Sequence, residues 1–484
     1  MTRKFRAREA YASEGGYHLL PFRFIALDDD REVLVSEVGD YVVCPTGTAA
    51  RVAAHEVARQ EPVFADLTAR HIVSDTPVPA LIDVLATRYR TKKAFLESFT
   101  ALHIFVVTLR CNHTCHYCQV SRQTEDREEY DMSLDDIDRA VDLMFQSPSP
   151  ALTMEFQGGE PLLAFDKVKY AVTRALERNE EAGKDLTFVV CTNATAFSDM
   201  ALAFFREHDI LVSTSLDGPP HVHNANRAKS GADSYERVVE GIALAREALG
   251  HDRVAALMTT TSLSLNHPVE IVDAYVEHGF DSVFLRPVSP YGFAVRSRKK
   301  NDYDTQRFLE FYKAGLDRVL EWNRRGVRIA EDYASVVLKK VLTPFSTGYV
   351  DLQSPAGLVN SVVVYNYEGG VYASDEARML AEMGDDTFRL GTVRDRYEDL
   401  FGGEVAREIA EHWSNEALAG CSDCGFQAFC GADPVFHHAT QGDMEGFRPT
   451  SGFCARNMAV IRHLLLLLEV GGEDAQTLRS WAAR

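Results

Sequence analysis

The chain has 484 residues, 46% hydrophobic and 25% charged, with a formal net charge of −20. That length predicts two or three globular domains. The acidic balance excludes a nucleic-acid binder, which needs a basic stripe. It suits a basic peptide partner or serves solubility alone. No apolar run approaches the ~20 residues of a membrane span, so no membrane partner is expected. The opening MTRKFRAREAYASEGG is basic but lacks an apolar stretch, so no secretory signal is expected and the chain is placed in the cytoplasm.

Residues 1–100 form a first zone. PFRFIALDDDREVLVSEVGDYVVC alternates apolar and polar residues around Asp28–Asp30, which predicts two or three antiparallel strands. Helices are expected over about Thr48–Arg59 and Pro79–Phe99. From 101 to 300 the pattern becomes repeated strand-then-helix units. Candidate strands are 103–109, 152–156, 186–191, 210–216, 254–260 and 282–288, apolar runs that suit parallel strands buried on both faces. Ser133 with Asp136 three residues on is a helix-start signature before IDRAVDLMF. Six such units predict an α/β architecture, a partial (β/α)6 TIM barrel with its chemistry at the C-terminal strand ends. Residues 301–345 read as a bridging segment with a helix over Asp304–Arg325, and 346–484 as a loop-rich extension ending in a helix.

Seven of the nine cysteines fall in two groups. In a reducing compartment such groups are metal ligands rather than disulfides. Cys44 and Cys191 lie singly on apolar strands and read as small hydrophobes. The first group, TLRCNHTCHYCQVSR, follows the first barrel strand and holds Cys111, Cys115 and Cys118. A [4Fe–4S] cluster takes four thiolates, so three leave one iron open for a small molecule. The alternative is zinc with His113 or His116 as fourth ligand.

This spacing, with Tyr117 before the last cysteine, resembles the radical S-adenosylmethionine (radical SAM) superfamily. The resemblance implies that the open iron chelates S-adenosylmethionine and that reductive cleavage yields a 5′-deoxyadenosyl radical. In MEFQGGEP, Gly158 and Gly159 permit close backbone approach. They resemble the family's glycine-rich motif for the cofactor amine, with Gln157 and Glu160 carried along. Asn193 in CTNAT is a cofactor contact or a turn residue. In SLDGPPHVHNANR, Ser215 and Arg227 match positions that hold the cofactor carboxylate, for which a guanidinium is apt; Asp217 shapes that loop or touches the cofactor. Leu285 matches a backbone contact to adenine, or is plain core.

The second group holds Cys421, Cys424, Cys430 and Cys454, enough for a closed site, with structural zinc as the alternative. It resembles the SPASM extension of peptide-maturing radical SAM enzymes, which carries two auxiliary [4Fe–4S] clusters. Here the places of the inner cluster's ligands read Ser354, Ser374 and Pro434. One auxiliary cluster is therefore expected, held by the four cysteines. Asp375, next to Ser374, matches a candidate base of sulfatase-maturing relatives, or is a loop carboxylate.

The N-terminal zone joined to this barrel and reduced extension resembles the His-Xaa-Ser system radical SAM maturases. That implies a winged-helix-like module adding a precursor's leader as a strand to a sheet edge, and a flavodoxin- or ferredoxin-type electron donor. The implied reaction takes a side-chain hydrogen from a ribosomally made precursor peptide and closes a crosslink within His-Xaa-Ser motifs, the auxiliary cluster accepting an electron. The alternatives are formylglycine formation, epimerisation, or a non-catalytic iron–sulfur electron-transfer protein.

Overall fold

The computed structural model describes residues 16–483, apart from 77, 125, 298–300 and 302. The first 15 residues, on which part of the export-signal expectation rests, lie outside it.

The N-terminal zone contains β1 (His18–Leu19), β2 (Phe22–Ala26), β3 (Arg31–Ser36), β4 (Tyr41–Pro45) and β5 (Val73–Ser74). The strands β2-β3-β4 form an antiparallel meander, and β1 pairs with β5. The turn at Asp28–Asp30 is closed by Asp28, whose carboxylate accepts from the Asp30 and Arg31 amides. The first helix is shorter than expected, Thr48–Ala53, because His55 turns to φ 60°. A second helix, Pro62–Ala69, was not foreseen. The long predicted helix breaks into Pro79–Lys92 and Phe95–Ser98, the latter stopped by Phe99 at φ 54°.

The six barrel strands fall where the apolar runs place them. They are β6 (Leu102–Thr108), β7 (Ala151–Gly158), β8 (Asp185–Cys191), β9 (Leu211–Ser215), β10 (Val254–Thr260), and a sixth run split into β11 (Ser282–Val283) and β12 (Leu285–Pro287). All pairings from β6 to β10, and of β10 with β12, are parallel. Helices Leu134–Gln146, Phe165–Ala182, Asp199–Glu207, Ser234–Leu249 and Pro268–Glu277 lie between the strands. The Ser133 hydroxyl accepts from the Asp136 amide and donates to its carboxylate. Phe105, Val106 and Val107 of β6 are fully buried, each worth about 1.5–3 kcal/mol.

Two features depart from the sequence reading. The sixth strand is broken because β11 leaves the main sheet to pair with β13 (Ala330–Glu331). The main sheet also does not end at β6. Strand β14 (Val362–Tyr365) pairs with β6 in parallel, followed by antiparallel β15 (Gly370–Tyr372) and β16 (Arg389–Thr392), giving nine strands. The chain after residue 346 thus shares the sheet of the barrel.

The bridging helix is Thr305–Arg324, capped by Asp304. It is tied to the helix Pro268–Glu277 by the Arg318–Asp273 ion pair at 2.7 Å. The last long helix, Gly452–Val470, buries Leu464, Leu465 and Leu468. The N-terminal module docks on the C-terminal extension: Arg23 donates to the Ser422 carbonyl, and Lys93 pairs with Glu416 at 2.7 Å.

Candidate active site

The chain leaves β6 through Arg110, whose buried guanidinium grips Asp131 through Nε at 2.7 Å and Nη2 at 2.8 Å. Cys111, Cys115 and Cys118 follow directly. Their loop is anchored by the Thr114 amide on the Ala228 carbonyl (2.7 Å) and the Cys118 amide on the Cys115 carbonyl (3.3 Å). Two glycines of β7's end hold it from beside. A Cβ at Gly158 would stand 2.1 Å from the Thr108 carbonyl, and one at Gly159 2.1 Å from that of Arg110. The sequence reading gave these glycines to a ligand. The structure shows that they first admit the backbone leading to Cys111.

The three cysteines border a cavity of about 490 Å³. Tyr117, Gln157, Gly158, Gly159 and Asn193 line it too, as do Ser215, Arg227 and Asp375. Burial pushes the Cys111 and Cys115 thiols up to about 12. Thiols in such a place ionise against a strongly positive centre, and this donor set fits an iron–sulfur cluster. His113 is a poor zinc ligand: Nδ1 contacts Asn112 Oδ1 at 3.1 Å and Nε2 contacts Ser234 Oγ at 2.9 Å. Among the described residues, no group of three or more His, Cys, Asp or Glu side chains is placed to hold a single metal ion.

Three expected cofactor contacts lie outside this cavity. Glu160 is fully buried and accepts from Thr192 Oγ1 (2.7 Å), the Asn193 amide (2.7 Å) and the Leu162 amide (3.0 Å). It ties the end of β7 to that of β8. Asp217, also fully buried, accepts from the Tyr117 hydroxyl at 2.7 Å and pairs with Arg227 Nε at 3.2 Å. Its role is to position both. Leu285 is buried, its amide donates to Glu331 at 3.1 Å, and it borders only a smaller adjoining cavity. Burial opposes the Arg227 charge, but Asp217 and the neighbouring Tyr117 and Cys115 together outweigh it and the guanidinium stays ionised, 5.3 Å above the Tyr117 ring.

Asn193 is braced within the loops, donating to Asn112 Oδ1 at 2.7 Å and accepting from Thr195. Asp375 begins the helix Asp375–Ala381, which Ser374 caps. Its carboxylate meets Arg378 Nη2 at 3.1 Å, and Arg378 donates to the Val120 carbonyl at 3.0 Å.

Other cavity residues escaped the sequence reading. Glu155 lies two positions before Gln157 on β7 and accepts from Gln157 Nε2 at 2.6 Å. Cys191, assigned as a small hydrophobe, lines the cavity with its sulfur 3.4 Å from Glu155. Burial first, then Glu155, holds its thiol protonated. The signal was present: a carboxylate inside an otherwise apolar strand is costly unless it faces a site. Arg286 and Tyr349 also line the cavity.

The cysteines of the second group stand close enough to act on one another electrostatically. The Cys421, Cys424 and Cys430 sulfurs act electrostatically on Cys454, which burial pushes up to about 12. The Cys454 amide donates to Ser451 Oγ at the start of its helix. Asn457 Nδ2 stands 3.8 Å from the Cys430 sulfur, and Lys340 donates to the Cys430 carbonyl at 2.6 Å. Four convergent thiols with amide and cationic neighbours fit a closed [4Fe–4S] site. Of the places where inner-cluster ligands were sought, Ser374 is a helix cap, Ser354 donates to Glu416 at 2.7 Å, and Pro434 opens the helix Pro434–Gln441.

A parallel partial barrel with a thiol-ringed cavity at its C-terminal strand ends defines a class. Residues 105–275 match the Radical SAM superfamily, and the chain carries a radical SAM domain. A cysteine-type anaerobic sulfatase-maturating enzyme of Clostridium perfringens is 24% identical over 331 residues, 66% of this chain and 84% of that enzyme. An uncharacterized protein of Methanothermobacter thermautotrophicus is 28% identical over 192 residues, 39% of this chain and 69% of that protein. Among solved structures, native anSMEcpe with bound AdoMet superposes with TM-score 0.61 at 18% identity, covering 77% of this chain and 98% of that one. Streptococcus suis SuiB bound to precursor peptide SuiA gives TM-score 0.52 at 14% identity, covering 89% and 98%. These likenesses are of fold.

Proposed function

We propose that this chain is a radical SAM maturase that removes hydrogen from a side chain of a ribosomally made precursor peptide and closes an intramolecular crosslink. One observation carries the reading: three thiols on one loop border an open cavity that also holds Arg227, Asp375 and Glu155. Cys111, Cys115 and Cys118 would hold a [4Fe–4S] cluster with one open iron. With S-adenosylmethionine bound, it supplies a 5′-deoxyadenosyl radical able to attack an unactivated C–H bond.

The chain's own residues do the rest. Arg227, fixed by Asp217 and stacked near Tyr117, offers a guanidinium to the cofactor carboxylate. Gln157, Ser215 and Asn193 line the same cavity. Asp375, held by Arg378, borders the same cavity as the group that would take a proton from the peptide. Cys421, Cys424, Cys430 and Cys454 would hold one auxiliary [4Fe–4S] cluster, so iron analysis gives about eight irons per chain and twelve would refute it. A flavodoxin- or ferredoxin-type protein would donate electrons in a reducing, cytoplasmic setting. No helix among the described residues is long and apolar enough to cross a membrane.

Within the peptide the crosslink is assigned to His-Xaa-Ser motifs, on the resemblance of the N-terminal module. That module would take the leader on the outer edge of β2 or β4, the two edges of its meander. Removal of residues 1–95 should then abolish precursor affinity. Mass spectrometry after anaerobic co-expression should show two hydrogens lost per motif with no aldehyde. An aldehyde trapped by hydroxylamine would support formylglycine formation instead, the reading favoured by similarity to the sulfatase-maturating enzyme. A mass-neutral product would indicate epimerisation.

A further inference from the structure

Beside the reaction cavity lies a narrow throat of about 40 Å³. It shares Arg286, Tyr349, Asp351 and Glu376 with the reaction cavity. On its far side it shares Val288, Phe436 and Arg456 with a groove of about 730 Å³. Three carboxylates from distant segments line it: Asp351, Glu376 and Asp433. Each stands within three positions of one of Ser354, Ser374 and Pro434.

The throat is short of positive charge. Two guanidiniums line it against three carboxylates. Arg286 approaches Glu376 only to 4.0 Å, and Arg456 leans over the Phe453 ring at 5.5 Å. One oxygen of Asp433 is occupied by the Phe436 amide at 2.9 Å. Uncompensated buried charge is costly. A second observation points to a ligand. Tyr291 is 1% exposed, its hydroxyl has no hydrogen-bond partner, and it lines this throat. After burial, the groups that act most on its hydroxyl are those same three carboxylates, followed by Arg456. A buried hydroxyl without a partner is rare in folded proteins.

The missing group must be cationic, must donate hydrogen bonds, and must be small. A cavity of about 40 Å³ holds a head group of one ammonium with a water, since one water needs roughly 10–15 Å³ on this measure. A single metal ion is not favoured, because among the described residues no three such ligands are placed around one. We infer that the throat is a subsite for a primary ammonium group, the side chain of a lysine next to the residue presented in the reaction cavity. The ammonium supplies one positive charge and three N–H donors, enough for Glu376, Asp433 and the Tyr291 oxygen. Burial and the neighbouring carboxylates raise the pKa of Glu376, and burial with Asp351 raises that of Asp433, as expected where carboxylates outnumber cations. The lysine assignment rests on the peptide reading above.

The test uses anaerobic holoenzyme loaded with S-adenosylmethionine. It is titrated calorimetrically with Nα-acetyl-lysine N-methylamide and with its norleucine analogue, which has no charge. The lysine probe should bind at least about ten-fold more tightly, a difference of about 1.4 kcal/mol. Glu376→Gln with Asp433→Asn should remove that preference. Tyr291→Phe, the mildest change and the one to use if the double variant does not fold, should weaken the lysine probe alone by about three-fold. Equal affinities, or no binding of the lysine probe, would overturn the inference. A lysine preference without reaction on any peptide would instead sink the maturase reading and leave the throat standing.

Discussion

Arg227 and Asp217 form an ion pair at 3.2 Å in which the carboxylate is fully buried and the guanidinium borders the reaction cavity. The partner that makes Arg227 rigid thus stands behind it, away from any ligand. Asp217→Asn should leave a buried guanidinium poorly compensated, lowering folding stability by about 3 kcal/mol. Calorimetric titration should also show S-adenosylmethionine affinity about ten-fold weaker. Arg227→Lys should weaken it at least as much, because a lysine offers no planar fork. Unchanged affinity in both variants would remove Arg227 from the cofactor site.

Gly159→Ala would push a methyl to within 2.1 Å of the Arg110 carbonyl and 2.5 Å of that of Leu109. The loop that starts Cys111 must then shift. A loss of roughly 2–3 kcal/mol in stability is expected, with the iron of the first cysteine group falling more than that of the second. Iron analysis of the variant in a background lacking Cys421 and Cys424 separates the two. Full iron content would mean that the loop absorbs the methyl.

Asp375→Asn keeps the size of the side chain but removes its charge beside fully buried Arg378. If Asp375 takes the substrate proton, peptide product formation should fall by about 10²–10⁴-fold. Asp375→Glu should retain more activity than the amide, because it keeps a base. A loss of equal size in both variants would mark Asp375 as an anchor for Arg378 only.

Glu331 is fully buried and accepts from the Tyr312 hydroxyl and the Ala334 and Leu285 amides. Burial raises its carboxyl to about 7. The folded state therefore holds a proton that the unfolded chain releases near the ordinary value of 4.5. The stability linked to that proton is complete below about pH 4.5 and is lost as pH rises through about 7, by about 3 kcal/mol in total. Glu331→Gln should be flatter over that window, so its stability relative to the native chain improves as pH rises. Denaturant titrations at pH 5 and pH 8 measure this. Parallel pH profiles would refute it.

Much of the fold was legible because its signals are local. The six apolar runs became strands at the places expected, since parallel strands buried on both faces must be apolar along their length. Ser133 and Asp304 capped their helices as their side chains allow. The break at Phe99 and the splitting of the sixth strand were not legible. One depends on a backbone turn, the other on pairing with residues some 48 positions away, Ser282 with Ala330. Glu160 and Asp217 show the same limit at the site. Their neighbourhood in the sequence marks them as part of it, but only the packing reveals that they face inward, away from the cavity.

The sequence by itself grouped most of the thiols, because Cys111 to Cys118 and Cys421 to Cys430 lie close along the chain, with Cys454 24 positions further on. It also determined the order of strands and helices. Tertiary structure alone decided that β14 joins the barrel sheet, that Cys191 faces Glu155 inside the cavity, and that Asp351, Glu376 and Asp433 meet at one throat. The physical reason is the parallel sheet. It sets the ends of strands that are far apart in sequence side by side, so the chemistry of the cavity is assembled across the chain rather than along it.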